Sequence, residues 1–305
     1  MINGSIVALI TPFTTLNLID FRKLAELIEY HHFSGTDGLL ILGTTGESTS
    51  LSEYEKDQLV EFVVKQTDKR MKIIVGIITN DTQEAIKKAI KYELMEADAL
   101  LLIPPFYNKT SKNGLINHFK LIASKVKIPI ILYNIPSRVG MNIDLDVIKE
   151  LKSIPNITGI KEANKDINHI LDVFMLADEG FSVYCGNDEL SYLFLSLGAK
   201  GLINVYGNLE PQMMKNLIYI YEQNPFLALE YFKIYYELLK MMFIEVNPIP
   251  IKALMNYDNM NVGYYRLPLI KMDKDKYNMM IYEYEMVKNP FINKIYNIRK
   301  NNKYL

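Results

Sequence analysis

Eight short apolar runs recur through the first two-thirds of this 305-residue chain, and nothing else limits its possible folds so tightly. They are Ser5–Ile10, Gly38–Leu42, Lys72–Ile78, Ala99–Ile103, Ile128–Tyr133, Ile157–Lys161, Ser182–Cys185 and Gly201–Val205. Each has the length and composition of a strand, and roughly 20 to 35 residues separate successive runs, the period of β/α units. Most gaps carry an amphipathic helical pattern: Phe21–Phe33, Glu53–Gln66, Thr82–Met95, Gly114–Lys125, Leu145–Ser153 and Asp188–Leu197. Asp20, Ser52 and Asp144 stand where helix N-caps belong. Eight such units predict an α/β fold of the closed (β/α)8 barrel type rather than an open doubly wound sheet. No GxGxxG follows the first run, which also argues against a dinucleotide site.

From about Pro211 the alternation stops and the pattern becomes helical, over Gln212–Gln223, Leu227–Phe243, Pro250–Met255 and Lys274–Val287. This predicts a small helical appendage on the barrel. Asn247-Pro248-Ile249-Pro250 separates two of its helices, because proline breaks the hydrogen-bond ladder. The expected division is a catalytic barrel over residues 1–224 and a helical domain over 225–305. The polar, basic stretch Asn289–Leu305 reads as a loosely held end. A formal net charge of -1 gives no support to nucleic acid or an anionic membrane as partner. The single cysteine, Cys185, excludes an intrachain disulfide framework and fits a reducing cytoplasm. The start, MINGSIVALITPF, lacks a basic n-region, and no run approaches a membrane span. The expectation is a cytoplasmic protein.

Chemistry collects at the carboxyl ends of the runs, where a barrel of this kind builds its active site. The stretch Asn156–Ala163, NITGIKEA, carries a lysine at the end of an apolar strand. Alternation places Ile157, Gly159 and Lys161 on one face, with Gly159 leaving space beneath the lysine stem if that face points inward. Lys72, Lys127 and Lys200 fall at strand starts and read as solvated. Tyr133 ends the neighbouring strand, so it and Lys161 can reach one substrate atom. The loop Gly43-Thr44-Thr45-Gly46 offers N–H groups and hydroxyls to a carboxylate or phosphate. Arg138 offers a planar fork suited to a carboxylate. Glu47 and Asp188 read as local hydrogen-bonding groups, and Cys185 as a buried, inert thiol. His31 and His32 are adjacent, and His118 and His169 are scattered, so no metal-ligand spacing appears. A lysine, a tyrosine and hydroxyls without a metal make a Schiff-base site. An ordinary lysine is neutral in only about one molecule in a few thousand at pH 7, and burial would correct that.

GTTGES, PPFYNK, YNIPSR, GIKEA, GND and NPIPIKAL, in this order and spacing, closely resemble the 4-hydroxy-tetrahydrodipicolinate synthase (dihydrodipicolinate synthase) family, up to about Pro268–Leu269. The resemblance implies a pyruvate-dependent class I aldolase-type enzyme of the lysine and diaminopimelate pathway, with no cofactor beyond the covalent Schiff base. Pyruvate would condense with L-aspartate-4-semialdehyde. By position, Lys161 resembles the Schiff-base lysine and Tyr133 the proton donor and acceptor. Thr44 and Tyr107 resemble the remaining relay members, Tyr107 reaching into a neighbouring subunit's site. Thr45 and the Ile203 backbone would contact pyruvate with Gly186 close by, and Arg138 would bind the semialdehyde carboxylate. The resemblance implies a homo-oligomer, usually a dimer of dimers. N-acetylneuraminate lyases and keto-deoxy sugar acid aldolases share the lysine and tyrosine but usually lack Pro-Ser-Arg; a non-catalytic barrel is the rival from another class. In relatives inhibited by lysine, an interface cleft uses positions matching Ser48, Asn80, Glu84 and Phe106. Here Phe106 has no hydroxyl, and Glu53 and Lys56 replace frequent histidines, so weak or absent lysine feedback is expected.

Overall fold

All eight apolar runs are strands, and they close on themselves. The computed structural model describes residues 2–288. The strands are Gly4–Ala8 (β1), Gly38–Ile41 (β2), Lys72–Ile77 (β3), Ala99–Leu102 (β4), Ile130–Asn134 (β5), Ile157–Glu162 (β6), Ser182–Cys185 (β7) and Gly201–Asn204 (β8). Each pairs in parallel with its neighbour in sequence, and β8 returns to β1. A parallel barrel buries both faces of every strand, so the runs are apolar throughout rather than alternating.

Two apolar layers follow. Ile6, Ala8, Leu40, Ile74, Leu101, Ile131, Tyr184 and Ile203 fill the interior of the barrel. A larger layer, with Val7, Leu39, Val75, Leu102, Leu132 and Ile160, lies between the barrel and the helices. The alternation expected along β6 holds only in part. Gly159 and Lys161 follow the inward register, but Ile157 packs with Ile160 in the outer layer. The register shifts against β5, where Ile130 faces Ile157 but Ile131 faces Gly159. One extra residue in a strand flips the side chains before it to the other face. Nor is the space at Gly159 empty: a Cβ there would stand 2.9 Å from the Tyr184 ring and 2.5 Å from the Ser182 carbonyl oxygen. Tyr184 stops the barrel beneath the lysine, its hydroxyl donating to Ile2 O at 2.8 Å.

The helices begin where the sequence places their caps, at Asp20, Ser52 and Asp144, although only the first two make a capping bond. Asp20 accepts from the Lys23 N–H, and Ser52 and Glu55 form a reciprocal capping box. Asp144 makes no capping bond; its carboxylate pairs with Lys112 instead. Asp188–Leu190 is a 3-10 turn, and the α-helix begins only at Ser191. Helix Ile167–Phe174, after β6, lies outside the helical stretches read from the sequence. Beyond β8 the chain is helical over Pro211–Gln223, Pro225–Met241, Ile249–Tyr257 and Lys274–Lys288. The first of these packs on β1, and the last packs on the two before it. The basic stretch Asn289–Leu305 lies outside the described residues.

Candidate active site

The carboxyl ends of the strands open into a cavity of about 670 Å³ lined by Lys161, Tyr133, Thr44, Thr45, Arg138 and Gly186, among others. Lys161 is 5% exposed, and its strand register sets it directly opposite Tyr133. The nitrogen lies 4.3 Å from the centre of the Tyr133 ring. Gly186 is required beside it. A Cβ at that position would meet the Glu162 carbonyl at 2.9 Å and the Lys161 stem at 3.2 Å. Burial pushes the Lys161 amine down to about 8, opposed by the charge of Asp188 and helped by that of Arg138. About a tenth of the amine is then neutral at pH 7, a gain of several hundredfold over an ordinary lysine. The Tyr133 phenol moves the other way. Burial pushes it up, so it holds its proton until a base is presented. Asp188, fully enclosed, is pushed up to about 7 by burial, although it accepts from the Val205 N–H at 3.0 Å and the Tyr206 N–H at 2.6 Å.

Across the cavity, the hydroxyl loop is tied from three sides. Thr11 Oγ1 donates to Gly46 O at 2.7 Å, and Asn247 Nδ2 donates to Thr45 Oγ1 at 2.9 Å. Glu47, read as a local group, instead pairs with Lys252, far along the chain. Thr44 also borders a smaller cavity of about 190 Å³, which it shares with Tyr133, Arg138, Ser48 and Phe106. Arg138 rides on the short helix Pro136–Val139 and donates to Asn247 O at 3.2 Å. Behind Tyr133 and Lys161, their chain neighbours Asn134 and Glu162 form an enclosed network. Asn134 Nδ2 lies 3.0 Å from both Glu162 oxygens, and Glu162 Oε1 also accepts the Asn164 N–H at 2.7 Å. His169 stands 3.3 Å from the same carboxylate, whose hydrogen bond raises its pKa. This network pins the ends of β5 and β6, and so the two reactive side chains, to each other.

An enclosed amine with a depressed pKa, a protonated phenol against it and hydroxyls opposite can form an imine and shuttle the protons that imine chemistry moves. Residues 1–283 match the dihydrodipicolinate synthetase family model. The chain belongs to the dihydrodipicolinate synthetase family. It is 40% identical to the 4-hydroxy-tetrahydrodipicolinate synthase of Acetivibrio thermocellus over 91% of this chain and 94% of that one. The dihydrodipicolinate synthase structure from Aquifex aeolicus superposes with a TM-score of 0.89 at 39% identity, over 93% of this chain and 98% of that chain. The Acinetobacter baumannii synthase, solved in complex with pyruvate, gives 0.89 at 34% identity, over 94% and 99%.

Six of the eight residues expected from the sequence line the cavity of this family member. Tyr107 does not. It is 94% exposed, with a left-handed backbone at φ 67. Ile203 is not among the lining residues and turns its side chain into the barrel interior, while Val205, two residues on, reaches the lining. Cys185 is enclosed, its thiol pushed up by burial and bonded to Asn187 O at 3.1 Å. Sequence reasoning missed the wall built by Phe243–Asn247 and the enclosed Lys252 behind it. A signal was present: Lys252 interrupts the apolar stretch Ile249–Met255, as Lys161 interrupts its strand. Lys72, Lys127 and Lys200 are exposed, as their places at strand starts require.

Proposed function

We infer that this chain condenses pyruvate with L-aspartate-4-semialdehyde, the 4-hydroxy-tetrahydrodipicolinate synthase reaction of the diaminopimelate route to L-lysine. The observation that carries the reading is Lys161: enclosed, shifted to about 8 and in contact with the Tyr133 ring. The neutral amine adds to the pyruvate ketone, and loss of water leaves an iminium. The iminium draws electrons from the adjacent methyl carbon as its proton leaves, and the enamine so formed attacks the aldehyde of the second substrate. No external cofactor enters these steps. Tyr133 serves as proton donor and acceptor, with Thr44 passing protons onward. Thr45, Gly186 and the Ile203 backbone hold pyruvate. Arg138, at the side of the cavity and already fixed by Asn247, receives the semialdehyde carboxylate.

Tyr107 completes the relay from a second copy of the chain, which makes the working enzyme a cytoplasmic homo-oligomer, a dimer of dimers. Its near-complete exposure supports a role outside its own barrel. Feedback by lysine is weak or absent. Glu53 already holds Lys56 at 2.7 Å and Lys88 at 3.0 Å, and Lys88 also lies 3.4 Å from Glu84. The carboxylates that would attract a lysine ligand are thus occupied by the chain's own cations.

Borohydride reduction in the presence of pyruvate should add one stable mass to Lys161, and product formation from the semialdehyde should follow. No adduct on a folded protein would falsify the Schiff-base mechanism. An adduct with no turnover of the semialdehyde, but with pyruvate release from sialic or keto-deoxy sugar acids, would assign the site to those substrates instead.

A further inference from the structure

The C-terminal wall does more than border the cavity. Lys252, on helix Ile249–Tyr257, and Glu47, two residues past Thr45, form an ion pair at 2.8 Å with both side chains fully enclosed. Lys252 Nζ also donates to Thr11 O at 3.1 Å and to Tyr264 O, so three acceptors take up the three N–H groups of an ammonium. The other Glu47 oxygen accepts the Arg266 N–H at 3.1 Å. The Phe13 ring lies 4.6 Å from the Lys252 nitrogen and 4.5 Å from the Arg266 guanidinium, a shared aromatic support for both cations. Glu47 has a left-handed backbone at φ 52, a conformation that residues with a Cβ seldom adopt unless their surroundings impose it.

Two of the three side chains that tie the hydroxyl loop, Asn247 on Thr45 and Lys252 on Glu47, come from one short stretch of the helical region. We propose that Lys252 is a positioning residue: through Glu47 it fixes the turn that presents the Thr44 and Thr45 hydroxyls to a substrate held on Lys161. Stability alone does not call for this pair, since apolar side chains of similar size commonly replace an enclosed ion pair without loss. Direction does call for it. A carboxylate held by an ammonium, and by an N–H on its second oxygen, has one orientation, and the backbone two residues away follows.

The proposal rests on the Schiff-base reading, so its test needs one readout that does not depend on pyruvate. Glu47→Gln with Lys252→Met removes both charges together and leaves neither stranded. Glu47→Asp, which keeps both charges but draws the carboxylate back by one methylene, is the second variant. In the substrate-free full-length protein, methyl resonances of labelled Thr44 and Thr45 should shift or broaden in both variants, while that of Thr79, on another strand end, stays in place. With pyruvate, the KM should rise and kcat fall, each about tenfold, with the pH profile of kcat/KM unmoved because Lys161 is untouched. Either folded variant with unmoved Thr44 and Thr45 resonances, or with wild-type KM and kcat on an enzyme that traps pyruvate, overturns the proposal. If the wild type traps no pyruvate, the substrate reading fails by itself, and the resonances still decide the role of Lys252.

Discussion

Two lysines are enclosed at the mouth of this barrel, and their surroundings give them opposite tasks. Lys252 meets a carboxylate, two carbonyl oxygens and the face of Phe13. Burial depresses its pKa, but the charge and hydrogen bond of Glu47 oppose that, and three acceptors require three protons. Lys161 has the Tyr133 ring at 4.3 Å, and the charge of Asp188 only partly offsets its burial. Burial alone therefore does not make a nucleophile. Burial with no hydrogen-bond acceptor among the described residues does, because the proton is then the group without a partner.

The comparison breaks first at Lys161. Lys161→Met should abolish pyruvate trapping and reduce turnover below detection, while Lys252→Met should still trap pyruvate wherever it folds; mass spectrometry after borohydride reads both. Tyr133→Phe should form the adduct slowly and lower kcat by about 10²- to 10⁴-fold, the usual worth of a positioned proton donor, measured by steady-state kinetics. Stability should divide the two lysines with opposite sign. Lys252→Met strands the Glu47 carboxylate and should cost about 3–5 kcal/mol, most of it recovered when Glu47 is also made neutral. Lys161→Met should gain up to about 3 kcal/mol at pH 7. Its folded pKa, about 8, lies below the usual 10.5, so the unfolded chain binds the proton more tightly. The penalty is therefore complete below about pH 8 and disappears as the pH approaches 10.5, which melting curves across that range would reveal. A gain that persists at pH 11 would mean that packing, not charge, separates the two variants.

Smaller effects sharpen the contrast. The kcat/KM for pyruvate should rise about tenfold per pH unit below 8 and level off above it, as the neutral form of Lys161 accumulates. A profile flat from pH 6 to 9 would contradict the depressed amine. The smallest expected effect is on lysine sensitivity: submillimolar L-lysine should leave the rate within a few per cent, because Lys56 and Lys88 occupy Glu53 and Glu84. Half-inhibition in that range would contradict the assignment.

What could be read from the sequence followed what is local or periodic. The strands recur at regular intervals, a barrel puts their carboxyl ends together, and Lys161, Tyr133, Thr44 and Arg138 were found by those two rules. The bulge on β6 was hidden, because one slipped residue leaves an apolar run apolar while moving Ile157 to the outer layer. Asp144 satisfied the sequence rule for a cap but found a stronger partner in Lys112. The contacts of Asn247 with Thr45 and of Lys252 with Glu47 join residues about two hundred positions apart, and no local period encodes such a meeting. What the sequence does offer at Lys252 is the cost of a lone ammonium in an apolar stretch, the same signal that singles out Lys161.

With Tyr184 packed beneath Lys161, the cavity that Arg138 lines is the doorway through which reactants meet the amine. Traffic is then ordered by depth. The smaller keto acid must be seated first and the aldehyde follows as a cork above it, so an excess of the second reactant should jam the doorway and slow the enzyme rather than saturate it.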